Sequence, residues 1–232
     1  MKNGKADWFS KTWYNEDKNL VYFLTGRIVL DWINSESASK LLDIGCGYGG
    51  FTKILSDKTN LKITAIDMED EAISKTKEKL SGTDVVVEKQ DVLNMSYGDE
   101  SYDIVLSTGY TSAATLPGAI GEVKRVVKPG GILILDYLRF YNMYYLFSGN
   151  LFKRLFRYLS KKDTDQYYFG IFGLRNYLEK EAGLKIEEIK SFYTYPPFLK
   201  SNKSKFLFEK TIGRVLKPFL ARVLILKLRK VK

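Results

Sequence analysis

The residues best suited to chemistry sit in one short run. Residues 41–51 read LLDIGCGYGGF: an apolar stretch interrupted by a carboxylate, Asp43, then glycines at 45, 47, 49 and 50. Glycine takes positive φ at no steric cost and lets a ligand lie against bare backbone. A loop of this kind at the carboxyl end of a first strand occupies the place where open α/β sheets bind ligands. The helix that follows it presents free N–H groups to an anionic group. A mere strand–helix turn needs fewer glycines. Further acids close later apolar runs, Asp67 in KITAID and Asp91 in VVVEKQD. Histidine is absent from the 232 residues, which excludes imidazole as base, nucleophile or metal ligand, and with it Ser-His-Asp and Cys-His hydrolysis. The single cysteine, Cys46, excludes an internal disulfide framework and a cysteine-rich zinc site and suggests a reducing compartment. No metal is expected.

The elements that must position these residues alternate between strand and helix, the pattern of a parallel sheet with crossover helices. Strands are predicted at 40–45, 62–67, 84–91, 102–108, 131–137, 184–192 and 221–229. Helices are predicted at 20–33, 69–80, 117–127, 174–182 and 205–216. Ala72, Ile73, Thr76 and Leu80 form one helical stripe, Lys128–Gly131 (KPGG) reads as a helix stop, and Gly183 closes the helix before the sixth strand. The fold class is therefore α/β with seven strands. An aromatic and basic segment, 139–170, interrupts the rhythm after the fifth strand. One domain spanning 1–232 accommodates everything, with 1–36 as an N-terminal lid and helix and 139–170 as an inserted lid.

Two ligand classes compete for the glycine loop. Gly45-x-Gly47-x-x-Gly50, with Asp67 about 20 residues on, matches the dinucleotide fingerprint. The alternative is S-adenosylmethionine, whose sulfonium is cationic and which lacks phosphate. Asp43, two residues before the first glycine, repels a pyrophosphate and welcomes a cation, which favours the second class.

LLDIGCGYG, ITAIDMED, QDVLNMSYGDESYDIVLS and EVKRVVKPGGILIL, in this order and spacing, resemble the motifs of class I S-adenosylmethionine-dependent methyltransferases of the small-molecule type. The resemblance covers most of Leu41–Leu138. It implies a Rossmann-like mixed sheet in the order 3-2-1-4-5-7-6, last strand antiparallel, with helices on both faces. It also implies S-adenosylmethionine as cofactor and S-adenosylhomocysteine as product. Asp43 and the backbone of Gly45, Cys46, Gly47, Tyr48 and Gly49 would hold the methionine part. Asp67 would bond the ribose hydroxyls, and Met68 would pack on the adenine. Asp91 and the Val92 backbone would meet the adenine amino group, and Ser107 and Thr108 would lie under the sulfonium.

Methyl transfer to an amine, thiolate or carbanion needs no base, whereas an alcohol acceptor does. Without histidine the candidates are Tyr110, Asp136 and Tyr14, which read more readily as packing tyrosines and a strand-end acid. TGYTSA after the fourth strand lacks the Asn/Asp-Pro-Pro-Tyr/Phe signature of amino methylation on adenine or glutamine. Trp8–Tyr14 and 139–170 suit an apolar or stacking acceptor, and LFKRLFRYLSKK (151–162) has an amphipathic surface pattern. A small or lipid-like acceptor is expected. The alternatives are an RNA-directed methyltransferase and a nicotinamide oxidoreductase using the Tyr158-x-x-x-Lys162 pair. The net charge of +10 reads first as a lysine-rich surface, with nucleic acid or an anionic membrane as alternatives. The amino terminus lacks a signal-peptide h-region and no run reaches spanning length, so a cytoplasmic protein is expected, with peripheral membrane contact through 151–162 as an option.

Overall fold

The structure is a computed structural model and describes residues 20–108, 116–138, 171–192, 198–212, 214–215 and 223–231. Its elements in chain order begin with α1 (Leu20–Asn34), β1 (Lys40–Ile44), α2 (Gly50–Lys58), β2 (Lys62–Asp67), α3 (Asp70–Lys79), β3 (Val86–Lys89) and β4 (Tyr102–Ser107). They continue with α4 (Leu116–Val126), β5 (Val127–Leu138), α5 (Ile171–Asn176, extended by a π turn, Tyr177–Glu181), β6 (Leu184–Phe192), α6 (Asn202–Lys210) and β7 (Val223–Lys230). The seven strands form one sheet ordered β3-β2-β1-β4-β5-β7-β6. β7 runs antiparallel to both β5 and β6, and the other pairs are parallel. Order and strand directions are those the resemblance implied.

The period-two alternation of the central strands sorts their side chains onto two faces. Leu41, Ile104, Leu106, Ile132 and Ile134 pack with Val29, Trp32 and Ile33 of α1 and with Phe51 and Leu55 of α2. Leu42, Ile44, Val105, Leu133 and Leu135 pack on the other face with Ile120 and Val123 of α4 and Leu174 of α5. Both faces are covered, so the inner strands read as near-continuous apolar runs. The helical part of the expected N-terminal lid is thus core: Val29 and Ile33 are fully or almost fully buried.

The KPGG stretch corrects the sequence expectation. It does not separate helix from strand but lies inside β5, where Tyr102 pairs with Val127 and Ile104 with Ile132. Lys128, Pro129, Gly130 and Gly131 therefore oppose the single residue Asp103 as an enlarged bulge. Gly130 has φ +79, and a Cβ on Gly131 would lie 2.7 Å from the Asp103 carbonyl oxygen. Lys128 Nζ donates to Asp103 Oδ1 at 2.7 Å, and Asp103 Oδ2 accepts the N–H groups of Ser39 and Lys40. Burial opposes ionisation of Asp103, but these donors outweigh it and hold its pKa below the ordinary carboxylate value. The third strand is shorter than expected, and α6 starts earlier, where Ser201 Oγ accepts the Ser204 N–H at 3.1 Å as a cap.

At the end of the sheet opposite the glycine loop, Glu36, Glu187, Lys227 and Arg229 form one ion network. Lys227, almost fully buried, reaches Glu36 at 2.6 Å and Glu187 at 3.7 Å. Arg229 grips both carboxylates and donates to the Gly130 carbonyl at 2.7 Å. The network ties the turn after α1 to β6, β7 and the β5 bulge.

Candidate functional site

The chain crosses from β3 past β1 to β4, so the carboxyl ends of β1 and β4 flank a point where connections diverge, the usual ligand crevice of such sheets. Beside it, across the carboxyl ends of β1, β2 and β3, a cleft opens that is lined by Ile44, Gly45, Ile66, Asp67, Met68, Gln90 and Val92. Gly45, Gly47 and Gly49 have φ of +72, +55 and +68, the conformation that glycine alone takes freely. The loop is tied down from below: the Gly45 and Cys46 N–H groups donate to the Ile66 carbonyl at 2.8 and 3.0 Å, and Gly49 N–H donates to the Cys46 carbonyl. Thr76, fully buried on α3, donates its hydroxyl to the Gly47 carbonyl at 2.7 Å. A Cβ on Gly49 would sit 2.8 Å from Thr76 Cγ2, so this glycine is required by close approach as well as by φ.

Asp67 closes β2 and bridges the loop to the next helix. Its Oδ2 accepts the Gly47 N–H and its Oδ1 the Glu69 N–H, both at 3.0 Å. Each oxygen retains a lone pair for a further donor. Asp43 follows the alternation of β1 onto the α2 face, where its Oδ2 accepts the Thr52 hydroxyl at 2.7 Å. It is 4 % exposed. Burial pushes its carboxyl up to about 6; the Thr52 hydroxyl opposes this and the charge of Asp67 adds to it. Cys46 Sγ lies 3.9 Å from Thr76 Oγ1, and burial, with the charge of Asp43, pushes its thiol up to about 12, so it is no thiolate nucleophile. The Tyr48 phenol is also raised, by burial and by Glu71.

Among the other expected residues, Met68 lines the cleft and is half exposed, and Val92 lines it beside Gln90. Asp91 is exposed and its Oδ1 accepts the Leu93 N–H at 2.9 Å. Gln90, its neighbour, lines the cleft instead, bonded to Ser96 at 2.7 Å; a neutral amide carries no charge signal in the sequence. Thr52 and Thr76 were equally silent, Thr76 counting only as a member of an apolar stripe. Ser107 and Thr108 are buried at the end of β4, and Asp136 is half-buried one residue past Leu135, the partner of Ser107. Tyr14, Tyr110, Trp8–Tyr14 and 139–170, with its 151–162 and Tyr158/Lys162 features, lie outside the described residues.

The loop after β3 is clamped by Arg125 of α4, which donates to the carbonyls of Met95 and Tyr97 at 3.0 and 2.6 Å and pairs with Glu122 and Asp99. Glu122 in turn accepts the Met95 N–H at 3.0 Å. This fixes the cleft wall that carries Val92. Among the described residues no cluster suits a metal ion, and no helix is long and apolar enough to cross a membrane.

These parts suit a nucleoside with a cationic tail. Apolar side chains and a strand-end carboxylate line the cleft, bare backbone follows, and a second carboxylate lies buried behind the loop. The methyltransferase domain model matches residues 35–187. The demethylmenaquinone methyltransferase of Staphylococcus epidermidis is 25% identical over 160 residues, covering 62% of this chain and 66% of its own length. Sterol 24-C-methyltransferase erg-4 of Neurospora crassa is 38% identical over 98 residues, 40% of this chain and 26% of its own. The chain thus spans a little under two thirds of the first relative and about a quarter of the second. A solved geranyl diphosphate methyltransferase in complex with S-adenosylmethionine has the same fold, with a TM-score of 0.61 and 12% identity over 90% of this chain and 85% of its own. The chain belongs to the methyltransferase domain family, within the class I S-adenosylmethionine-dependent methyltransferases.

Proposed function

We propose that this domain transfers a methyl group from S-adenosylmethionine to a small, largely apolar acceptor of lipid-like character. The observation that carries the cofactor half is the Asp67 carboxylate at the cleft, held by two backbone N–H groups and still able to accept from a pair of hydroxyls. Support for the acceptor half comes from the relatives named above, which act on demethylmenaquinone and on a sterol.

When bound, S-adenosylmethionine supplies an electrophilic methyl carbon on a sulfonium. Asp67 would hold the ribose, Ile66, Met68 and Val92 would flank the adenine beside the Gln90 amide, and Asp91 would act through its turn. The loop 45–49 would receive the methionine part, with Asp43 supplying negative potential behind it. Ser107 and Thr108 would face the reacting centre. Holding the nucleophile in line removes about 7–11 kcal/mol of barrier without any acid or base. The raised thiol of Cys46 and phenol of Tyr48 fit this economy, since neither ionises near neutrality. A single domain, with acceptor choice assigned to segments outside the motifs, completes the reading.

Calorimetric titration with S-adenosylhomocysteine, S-adenosylmethionine and NAD tests it. The first two should bind and NAD should not. Asp67→Ala should weaken S-adenosylhomocysteine about 100-fold, the worth of a charge-assisted pair of hydrogen bonds at about 1.5 kcal/mol each. An unchanged affinity in that variant refutes the ribose assignment. Transfer of label to RNA but to no quinone or sterol-like compound would move the acceptor to the RNA alternative.

A further inference from the structure

One connection of the sheet returns to the end where the glycine loop lies. β6 runs parallel to β5, and Val223, the first residue of β7, pairs with both Phe192 and Leu138, the last residues of β6 and β5. The chain between β6 and β7 therefore leaves and re-enters the sheet at the site end, and α6 belongs to it. Among the described residues α6 makes no extended contact with any strand.

Its outward side mixes two chemistries. Phe206 and Leu207 are at the surface, Leu207 at 63 % exposure, and just past the helix Ile212 and Val215 are 59 % and 75 % exposed. Lys203, Lys210 and Arg214 are exposed among them, and Lys210 Nζ lies 4.3 Å from the Phe206 ring centroid. Lys203, Phe206, Leu207 and Lys210 stand three or four residues apart and so share one side of the helix. Residues 198–215 carry five basic residues and one acid, Glu209.

Exposed apolar side chains gain from leaving water, and lysines beside them gain from an anionic surface; a bilayer rich in anionic lipid offers both at one plane. A nucleic acid would use the lysines but leave Leu207, Ile212 and Val215 in water. We infer that residues 198–212, with Arg214 and Val215, form a face that seats this domain on an anionic lipid bilayer, with the site end of the sheet turned towards the membrane. The inference deepens the lipid-like acceptor reading and rests on it for its purpose: an apolar substrate would reach the cleft from the bilayer.

Flotation of the full chain with phosphatidylcholine vesicles, with and without phosphatidylglycerol, tests this. Binding should require phosphatidylglycerol and weaken with salt. Lys203→Gln with Lys210→Gln should lower the partition coefficient about 25-fold, at about fivefold per lysine. Leu207→Ser with Val215→Ser should abolish binding with every charge kept. Both pairs are at exposed positions, so the melting temperature and S-adenosylhomocysteine affinity should not move. Vesicle binding that survives both pairs, equal binding to neutral vesicles, or a preference for RNA over vesicles overturns the face. Titration without vesicles separates the two readings: intact S-adenosylhomocysteine affinity with no vesicle binding sinks the membrane face alone, whereas absent affinity sinks the methyltransferase reading.

Discussion

Replacing Asp43 by asparagine should stabilise the protein and weaken its hold on a cation. The carboxyl is buried on the α2 face of β1, and burial raises it from the ordinary 3.8 to about 6. In the unfolded chain it keeps the ordinary value. Above about 6 the native state therefore holds an ionised, dehydrated carboxylate that the unfolded state hydrates freely. The difference, about 6 less 3.8, at about 1.36 kcal/mol per pH unit comes to about 3 kcal/mol. That cost is present in full above about 6, shrinks as pH falls towards 3.8, and vanishes below it, where both states are protonated. Asparagine matches the carboxylate in size, and its Oδ1 can accept the Thr52 hydroxyl. At about pH 7.5 the variant should melt up to about 6–12 °C higher, at about 2–4 °C per kcal/mol. Near about pH 4.5 most of that gain should disappear, because the wild type has taken up its proton. Scanning calorimetry at the two pH values reads the effect, and titration with S-adenosylmethionine and its neutral-sulfur product reads the ligand side, where the cation should lose more. A melting point that is unchanged or lower at the higher pH, or a gain independent of pH, refutes the assignment of a strained, functional carboxylate.

Three further outcomes follow from the same geometry. Gly49→Ala should destabilise by about 2–4 kcal/mol, from the left-handed φ together with the contact to Thr76 Cγ2, and adding Thr76→Ser should recover part of the loss in urea unfolding. Glu187 is held below its ordinary 4.5 by Arg229, and Glu36 by Arg229 and Lys227 despite its burial. Their stabilisation is present above 4.5 and is lost as pH falls through the lowered native values, so acid unfolding should begin below about pH 4.5. Glu36→Gln should cost about 3 kcal/mol at neutral pH, because it deprives the buried Lys227 of its nearest carboxylate, and should flatten that acid transition; an unaltered transition would show that the network is idle.

The strands were legible because inner strands of a two-sided sheet must be apolar almost throughout. β2 (Lys62–Asp67) falls where that pattern puts it, and β6 (Leu184–Phe192), at the sheet edge, falls where its alternation puts it. The glycine loop and Asp67 were legible for a different reason: positive φ and a strand-end charge leave few residue choices. The β5 bulge was not legible. KPGG reads locally as a stop, and only the pairing of Tyr102 and Ile104 across from it makes it part of a strand. Gln90 was likewise invisible, since a neutral amide beside an acid gives no sign of which of the two will line a cleft.

The sequence by itself determined the order of elements, the bare-backbone loop and the placement of carboxylates at strand ends, because these depend on residues close together in the chain. Tertiary structure decided what those carboxylates became. Asp43 is a raised, buried acid only because the fold packs cover over it, and the left-handed φ of Gly49 is joined by a second constraint because α3 presses Thr76 against it. Arg229 meets Glu36 across 193 positions of sequence. Desolvation and close approach are properties of neighbours in space, and no local pattern encodes them.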